Sequence, residues 1–394
     1  MSLFDKCRGF NQRVATAKAR KQFFYFRELH PTANPVVEMH GKRMLHLGSN
    51  NYLGLTTHPK VVEAAIQAIR EYGTGSCSSR ILAGTSALHN RLEKRLADFK
   101  GTEDAIVFPT GFMTMMGTVS AVAGEGDIIF SDEINHASIV DGCRISKAQK
   151  RIYRHNDMAS LEEQLSQCPL EANKLIVTDG VFSMKGTVAN LPEIKRLAVK
   201  YNAQVMVDDA HGTGVLGATG RGTPEHFHME GQIDLVCGTF SKSLATVGGF
   251  TAATAEVVTF LRLASRPSVY TASPPASVMA TVLACLDVIE EEPELLKKLH
   301  ANAAFLKSGF KELGFSLEET ITPIIPVRIG DDEKTFRMAG ELEAEGVIVN
   351  PIVPPAVTRE GSLIRVSVMA AFSTAQLSEA LDKFQTVGKR LGMI

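Results

Sequence analysis

No apolar run in this 394-residue sequence approaches the length of a membrane span. The N-terminus lacks an apolar core segment, so no secretory leader is expected. Neither sign of charge dominates: 42 Lys and Arg stand against 43 Asp and Glu, which offers nucleic acid nothing global to bind. Cysteine is sparse. Cys7, Cys77, Cys143, Cys168, Cys237 and Cys285 are scattered with no C-x-x-C pair, which argues against a disulfide framework or a zinc site and fits a reducing cytoplasm. His226 and His228 stand two apart with no cysteine nearby and read as a solvated loop, so no metal is expected. Repeats and low-complexity segments are missing too. What is there is 44% hydrophobic and 22% charged, the make-up of a soluble globular enzyme. The length suits two or three domains.

From about residue 60 to 260, apolar strand-like runs alternate with helical stretches. The pattern predicts helices over 61–72, 88–99 and 113–123, and strands over 105–108, 127–130, 174–178, 205–207 and 235–237. Such alternation implies a mostly parallel sheet with helices on both faces. Ligands on these sheets sit at the carboxyl ends of the strands. After Pro274-Pro275 the pattern changes to helices over 277–291, 295–313 and 375–391 with short strands over 324–328, 347–351 and 363–369. The expected division is an N-terminal arm (1–50), a large cofactor-binding domain (51–276) and a small α+β C-terminal domain (277–394). The arm is basic: Lys6, Arg8, Arg13, Lys18, Arg20, Lys21 and Arg27 face Asp5 alone, and Phe23-Phe24-Tyr25-Phe26 lies at its end. The preferred expectation is a solvated helix docked through those rings. The other is an arm that touches a membrane surface or a long-chain substrate.

Two strand ends carry the chemistry. Gln204-Val205-Met206-Val207 runs into Asp208-Asp209-Ala210-His211, and Ile233-Asp234-Leu235-Val236-Cys237 runs into Gly238-Thr239-Phe240-Ser241-Lys242-Ser243. A hydroxyl-flanked lysine at a strand end can form a Schiff base with an aldehyde cofactor while the hydroxyls bind its phosphate. An aspartate on a neighbouring strand end can pair with a protonated pyridine nitrogen. Taken singly, such a lysine is a solvated charge and the acid pair a turn. Together, in this order and in this α/β setting, they point to pyridoxal 5'-phosphate (PLP). Strand alternation sends Asp208 and Asp209 to opposite faces, so only one of them can serve the cofactor. Gly212-Thr213-Gly214-Val215-Leu216-Gly217 is a literal G-x-G-x-x-G, but a dinucleotide site needs a helix opening at those glycines. Ala218-Thr219-Gly220-Arg221-Gly222-Thr223-Pro224 follows instead, which is turn chemistry.

Further segments fill in the picture: Asn50-Asn51-Tyr52-Leu53-Gly54-Leu55, His136-Ala137-Ser138-Ile139 and Asp179-Gly180-Val181-Phe182-Ser183-Met184. With the two strand ends, they make the chain resemble the α-oxoamine synthase family of fold-type I PLP-dependent transferases over nearly its whole length. The resemblance implies the aspartate aminotransferase-like α/β fold, with a large mixed, mostly parallel sheet and a smaller α+β domain. Within the family, 239–249, Tyr270-Thr271-Ala272-Ser273, Tyr25-Phe26-Arg27-Glu28 and 350–355 are most similar to the bacterial serine palmitoyltransferase branch.

Carried over residue by residue, the resemblance implies that Lys242 holds PLP and later moves the substrate's α-proton. Asp208 pairs with the pyridine nitrogen, and His211 and Ser183 contact the phenolic oxygen. His136 stacks on the ring. Gly111 and Phe112 give N–H groups to the phosphate, Thr239 and Ser241 add hydroxyls, and Thr271 reaches the phosphate from a partner subunit in a homodimer with shared sites. Arg365, with Asn51 as a weaker candidate, binds the substrate carboxylate. Within Leu363-Ile364-Arg365-Val366 a lone cation in an apolar run fits that role, the alternative being an exposed edge strand. Two positions depart from the family pattern: Val353 stands where several members carry arginine, and Phe372 where histidine is usual. The implied reaction is a decarboxylative condensation of an amino acid with an acyl thioester carried by CoA or an acyl carrier protein. L-serine is the first expectation, L-cysteate the second, and glycine or alanine the third. An inactive regulatory subunit is the competing class, and Lys242 argues against it. A DNA-binding regulator would need a further domain for which the chain has no room.

Overall fold

Seven short strands form one mixed sheet, and their side chains explain why it is buried on both faces. The order across it is Asp104–Phe108, Gly249–Ala253, Leu235–Thr239, Gln204–Asp208, Lys174–Asp179, Ile128–Asp132, Gln149–Tyr153. Gly249–Ala253 is antiparallel to both neighbours, and the other neighbouring pairs are parallel. Ile128, Phe130, Ile176, Val205, Val207 and Val236 pack into one core, while Ile129, Leu175, Val177, Met206, Leu235 and Cys237 pack into another. That period of two places one cluster on each face. A two-faced parallel sheet of this kind needs helices on both sides. The mixed, mostly parallel sheet is the large-domain architecture expected from the sequence.

This computed structural model describes residues 2–31, 33–358 and 360–394. The chain groups into two compact units. The larger holds Asn50–Leu299 with Thr320–Thr322, and the smaller holds the residues up to Ser49, His300–Glu319 and Pro323–Ile394. The helix Ala276–Glu291, expected with the C-terminal domain, falls in the larger unit. It is apolar nearly all round and packs on the helix Pro59–Tyr72, which binds it there. The smaller unit has two three-stranded sheets. One pairs Val36–Met39 with Lys42–His46 and Val347–Ile348, and the other places Leu363–Ser367 between Ile324–Arg328 and Asn350–Ile352.

Two strands of the large sheet escape a pattern search. Gln149–Tyr153 is a mostly exposed edge strand rich in polar residues, and Gly249–Ala253 is built of small residues around one phenylalanine. The basic N-terminal segment does form a helix, Asp5–Ala19, but it buries no residue. Its expected docking through the ring cluster is met only in part. Phe24 stacks on Phe336 at a centroid distance of 6.3 Å, while Tyr25 and Phe26 stay exposed. The helix carries too few apolar residues to bury a face. Among the described residues no helix is long and apolar enough to cross a membrane.

Candidate active site

The strand ends of the larger unit deliver the site. Strand register sets Asp179 beside Asp208, and Asp208 beside Cys237, two residues before Thr239. A cavity of about 270 Å3 opens at this edge. Gly111, Phe112, His136, Ser183, Asp208, His211, Thr239, Ser241 and Lys242, all singled out in the sequence, line it. Asn51 and Thr271 do not. Asn51 is buried and donates its side-chain amide to Thr56 Oγ1 at 2.8 Å. Thr271 Oγ1 donates to the carbonyl of Pro267. Arg365 belongs to the smaller unit. It sits on the central strand of its sheet, 5% exposed, and donates to Ser367 Oγ at 2.7 Å, so the edge-strand alternative is set aside.

One end of the cavity suits an anion. The helix Gly111–Val122 begins there, with Thr110 Oγ1 capping the N–H of Met113 at 3.1 Å. The first N–H groups of a helix have no partner within it and attract negative charge. A Cβ at Gly111 would lie 2.6 Å from Thr239 Oγ1, so only glycine lets the helix start approach the Thr239 turn this closely. Thr239 Oγ1 donates to Gly248 O at 3.0 Å and shares a 2.9 Å hydrogen bond with Ser241 Oγ.

The other end is acidic. Asp208 is 6% exposed, and its Oδ1 accepts from the N–H of Ala210 at 3.0 Å. Burial pushes its carboxyl upward, and Lys242 pulls it back. Asp179, 4% exposed, is pushed well above the carboxylate range by burial and then by Asp208. Asp179 Oδ2 accepts from the backbone N–H of His136 at 3.1 Å. Burial holds the His136 imidazole below its ordinary value; Asp208 raises it and Lys242 lowers it. Its Nδ1 lies 2.7 Å from Ser138 Oγ. Tyr52 OH lies 2.7 Å from His211 Nδ1, which orients that ring from behind.

Asp209 points away from the cavity, as alternation predicts. It is fully buried against Lys100, with Oδ2 2.7 Å from Nζ, and its Oδ1 accepts from the N–H of Thr223 at 2.9 Å. The glycine-rich loop serves this inner face. Gly214 and Gly217 have φ of 73° and 87°, and Glu225 staples the turn by accepting from the N–H groups of Thr219 and Arg221 at 2.9 and 2.8 Å. No helix opens at the glycines, so the dinucleotide reading is excluded.

Asp179, Ser138, Thr110 and Tyr52 were not singled out as site residues. The signal for Asp179 was available, because it is an acid at the carboxyl end of a buried strand. Taken together, an amine, an acid facing it, an anion cradle closed by glycine and two histidines fit the donor set that PLP requires.

The family description "aminotransferase class I and II" matches residues 42–384. A serine palmitoyltransferase of Bacteriovorax stolpii is 45% identical over 93% of this chain and 88% of its own length. An 8-amino-7-oxononanoate synthase of Bacillus velezensis is 43% identical over 96% of each. Among solved structures, a serine palmitoyltransferase from S. paucimobilis with PLP and myriocin bound superimposes with a TM-score of 0.96, at 37% identity and full coverage of both chains.

Proposed function

We propose, for a chain that belongs to the aminotransferase class I and II family and within it to the PLP-dependent α-oxoamine synthases, that it condenses L-serine with a long-chain acyl thioester, releasing CO2. The observation that carries the choice of serine is the 45% identity to a serine palmitoyltransferase across 93% of the chain. PLP, when bound, supplies an aldehyde for the amino acid's nitrogen and a ring that draws electrons from its α-carbon. Lys242 Nζ is the amine that would hold the cofactor, and the same amine would move the amino acid's α-proton. Asp208 keeps a proton at the ring nitrogen. His136 would lie against the cofactor's ring, and His211 with Ser183 would hold its phenolic oxygen. Gly111, Phe112, Thr239 and Ser241 hold the phosphate, and Thr271 reaches it from a second copy. Arg365 would hold the amino acid's carboxylate, Asn51 being the weaker candidate for that role.

Several surface features support a homodimer. Val62, Ile66 and Ile69 make an exposed apolar stripe on the helix Pro59–Tyr72. Leu82 and Tyr270 are exposed in the same unit, at 81% and 73%. Exposed apolar side chains of this kind suit a partner surface. The acyl donor is carried by CoA or an acyl carrier protein, and the setting is the cytoplasm with peripheral contact to a membrane.

Serine is preferred to cysteate because a sulfonate needs paired donors. Phe372 is fully buried in the core of the smaller unit, and Val353 carries no charge. The other candidate donors are Arg80 and the adjacent Ser78-Ser79, and the Arg80 guanidinium already grips Glu93 at 2.7 and 3.2 Å. The second reading, condensation of alanine or glycine, is favoured by the 43% identity to an 8-amino-7-oxononanoate synthase. The test is a panel of serine, cysteate, alanine and glycine with one long-chain acyl thioester, read by cofactor absorbance and condensation rate. Serine should lead. A large preference for cysteate, or for alanine or glycine, rejects the proposal.

A further inference from the structure

The smaller unit holds a groove of about 740 Å3 between the segment after the first helix, the Val36–His46 hairpin and the helix Asp332–Ala344. Phe23, Phe24, Phe336, Met39 and Met44 give it an apolar floor, while Lys18, Arg20, Lys21, Lys42 and Arg337 stand on its walls. Three acids also line it, but two are neutralised. Glu343 pairs with Arg27 at 3.0 Å and Glu341 with Arg390 at 2.6 Å. Only Glu333 is left to offset the five cations, and it accepts from Gln22 Nε2 at 2.7 Å. Among the described residues none of these five cations forms an ion pair with an acid. The groove is therefore strongly cationic over an apolar base.

The segment that walls it displays rings to solvent. Phe26 is 99% exposed, and its backbone is held at φ 56°, a region that a bulky L-residue rarely occupies. Tyr25, Phe10, Phe4 and Leu3 are 61%, 58%, 66% and 75% exposed. The helix Asp5–Ala19 buries nothing, and its Arg13 lies over the Phe10 ring at 5.4 Å. Aromatic tips set among lysines and arginines are the chemistry of a bilayer interface, where rings enter the headgroup layer and cations meet anionic lipid.

We propose that the N-terminal arm and its cationic groove form a docking surface for an anionic lipid bilayer. The walls carry five cations against one acid that no cation neutralises, which calls for a negative surface. An anionic bilayer presents a continuous negative one. The inference rests on the acyltransferase reading for its sense, because such an enzyme takes a long acyl chain and releases a poorly soluble product. Its test involves no turnover, so either reading can fail alone.

The PLP-loaded protein is sedimented with vesicles of phosphatidylcholine alone and of equal parts phosphatidylcholine and phosphatidylglycerol. Binding is expected only to the anionic vesicles, and it should weaken as salt rises. The double variant Lys21→Ala, Arg337→Ala should bind about 25-fold more weakly, at roughly a factor of five per cation. Phe10→Ser with Phe26→Ser should weaken binding without changing the melting temperature or the cofactor absorbance. Three results overturn the proposal. The first is no binding to anionic vesicles at low salt. The second is equal binding to both vesicle types. The third is a dimer that falls apart in the Phe10→Ser, Phe26→Ser variant while vesicle binding is unchanged, which would assign the arm to a second copy.

Discussion

Asp208 and Asp209 are neighbours in sequence with opposite duties, and replacing each by asparagine should separate cofactor chemistry from stability. Asp209 is fully buried and paired with Lys100, itself 5% exposed, at 2.7 Å. In Asp209→Asn the ammonium keeps hydrogen bonds to Thr213 Oγ1, at 2.7 Å, and to the carbonyl of Arg221, but it loses the acid it pairs with. Removing one partner of a buried pair costs about 3–5 kcal/mol because the other charge stays behind. At roughly 2–4 °C per kcal/mol for a unit of this size, melting should fall by about 6–20 °C. Asp208→Asn removes a carboxyl that burial already disfavours in the charged form, and asparagine Oδ1 can still accept from Ala210. The apo variant should therefore melt at or near the wild-type temperature. Its turnover should fall by about 10²–10³-fold, the scale of deleting one preorganised charge contact. Thermal melts of both apo proteins, with steady-state rates and cofactor absorbance of the loaded forms, test the pair. The reasoning fails if Asp209→Asn loses turnover while its melting is unchanged, or if Asp208→Asn melts as low as Asp209→Asn.

Other outcomes follow from the same geometry. Borohydride treatment of the yellow holoenzyme should fix the cofactor on Lys242, and Lys242→Ala should bind PLP without turnover; a colourless protein indifferent to added PLP refutes the cofactor assignment. A Lys242→Ala chain mixed with a Thr271→Ala chain should regain part of the activity through hybrid sites, and full activity in a demonstrated monomer excludes sharing. Asp179→Asn should become more stable than wild type as pH rises. A carboxyl raised on folding contributes stability below its unfolded value and loses it as pH climbs toward the folded one, whereas asparagine does not titrate. A stability difference that shrinks with rising pH would show that Asp179 is ionised in the fold.

The cavity edge is legible in the sequence where polar or small residues follow an apolar strand. Lys242, Asp208, Thr239 and the Gly111 helix start all announce themselves by an abrupt change from buried aliphatics to polar or small residues. Nine of the residues singled out in the sequence line one cavity. What stayed hidden depends on pairing across the chain. Lys100 ends a helix as an ordinary basic residue, and nothing local says that it reaches an acid more than a hundred residues later. Asp179 sits inside a recognised motif, yet its tether to the His136 backbone exists only because two strands lie in register with their loops folded over one edge. Gly249–Ala253 shows the same limit in a strand, since its residues signal flexibility and only the neighbouring strands make it extended. Phe372 shows it for specificity. Read against the family it looks like a lost donor, and in the fold it is a core ring. Substrate choice therefore has to be sought in polar groups that the chain brings together from afar, with Arg80 removed from the candidates by its grip on Glu93.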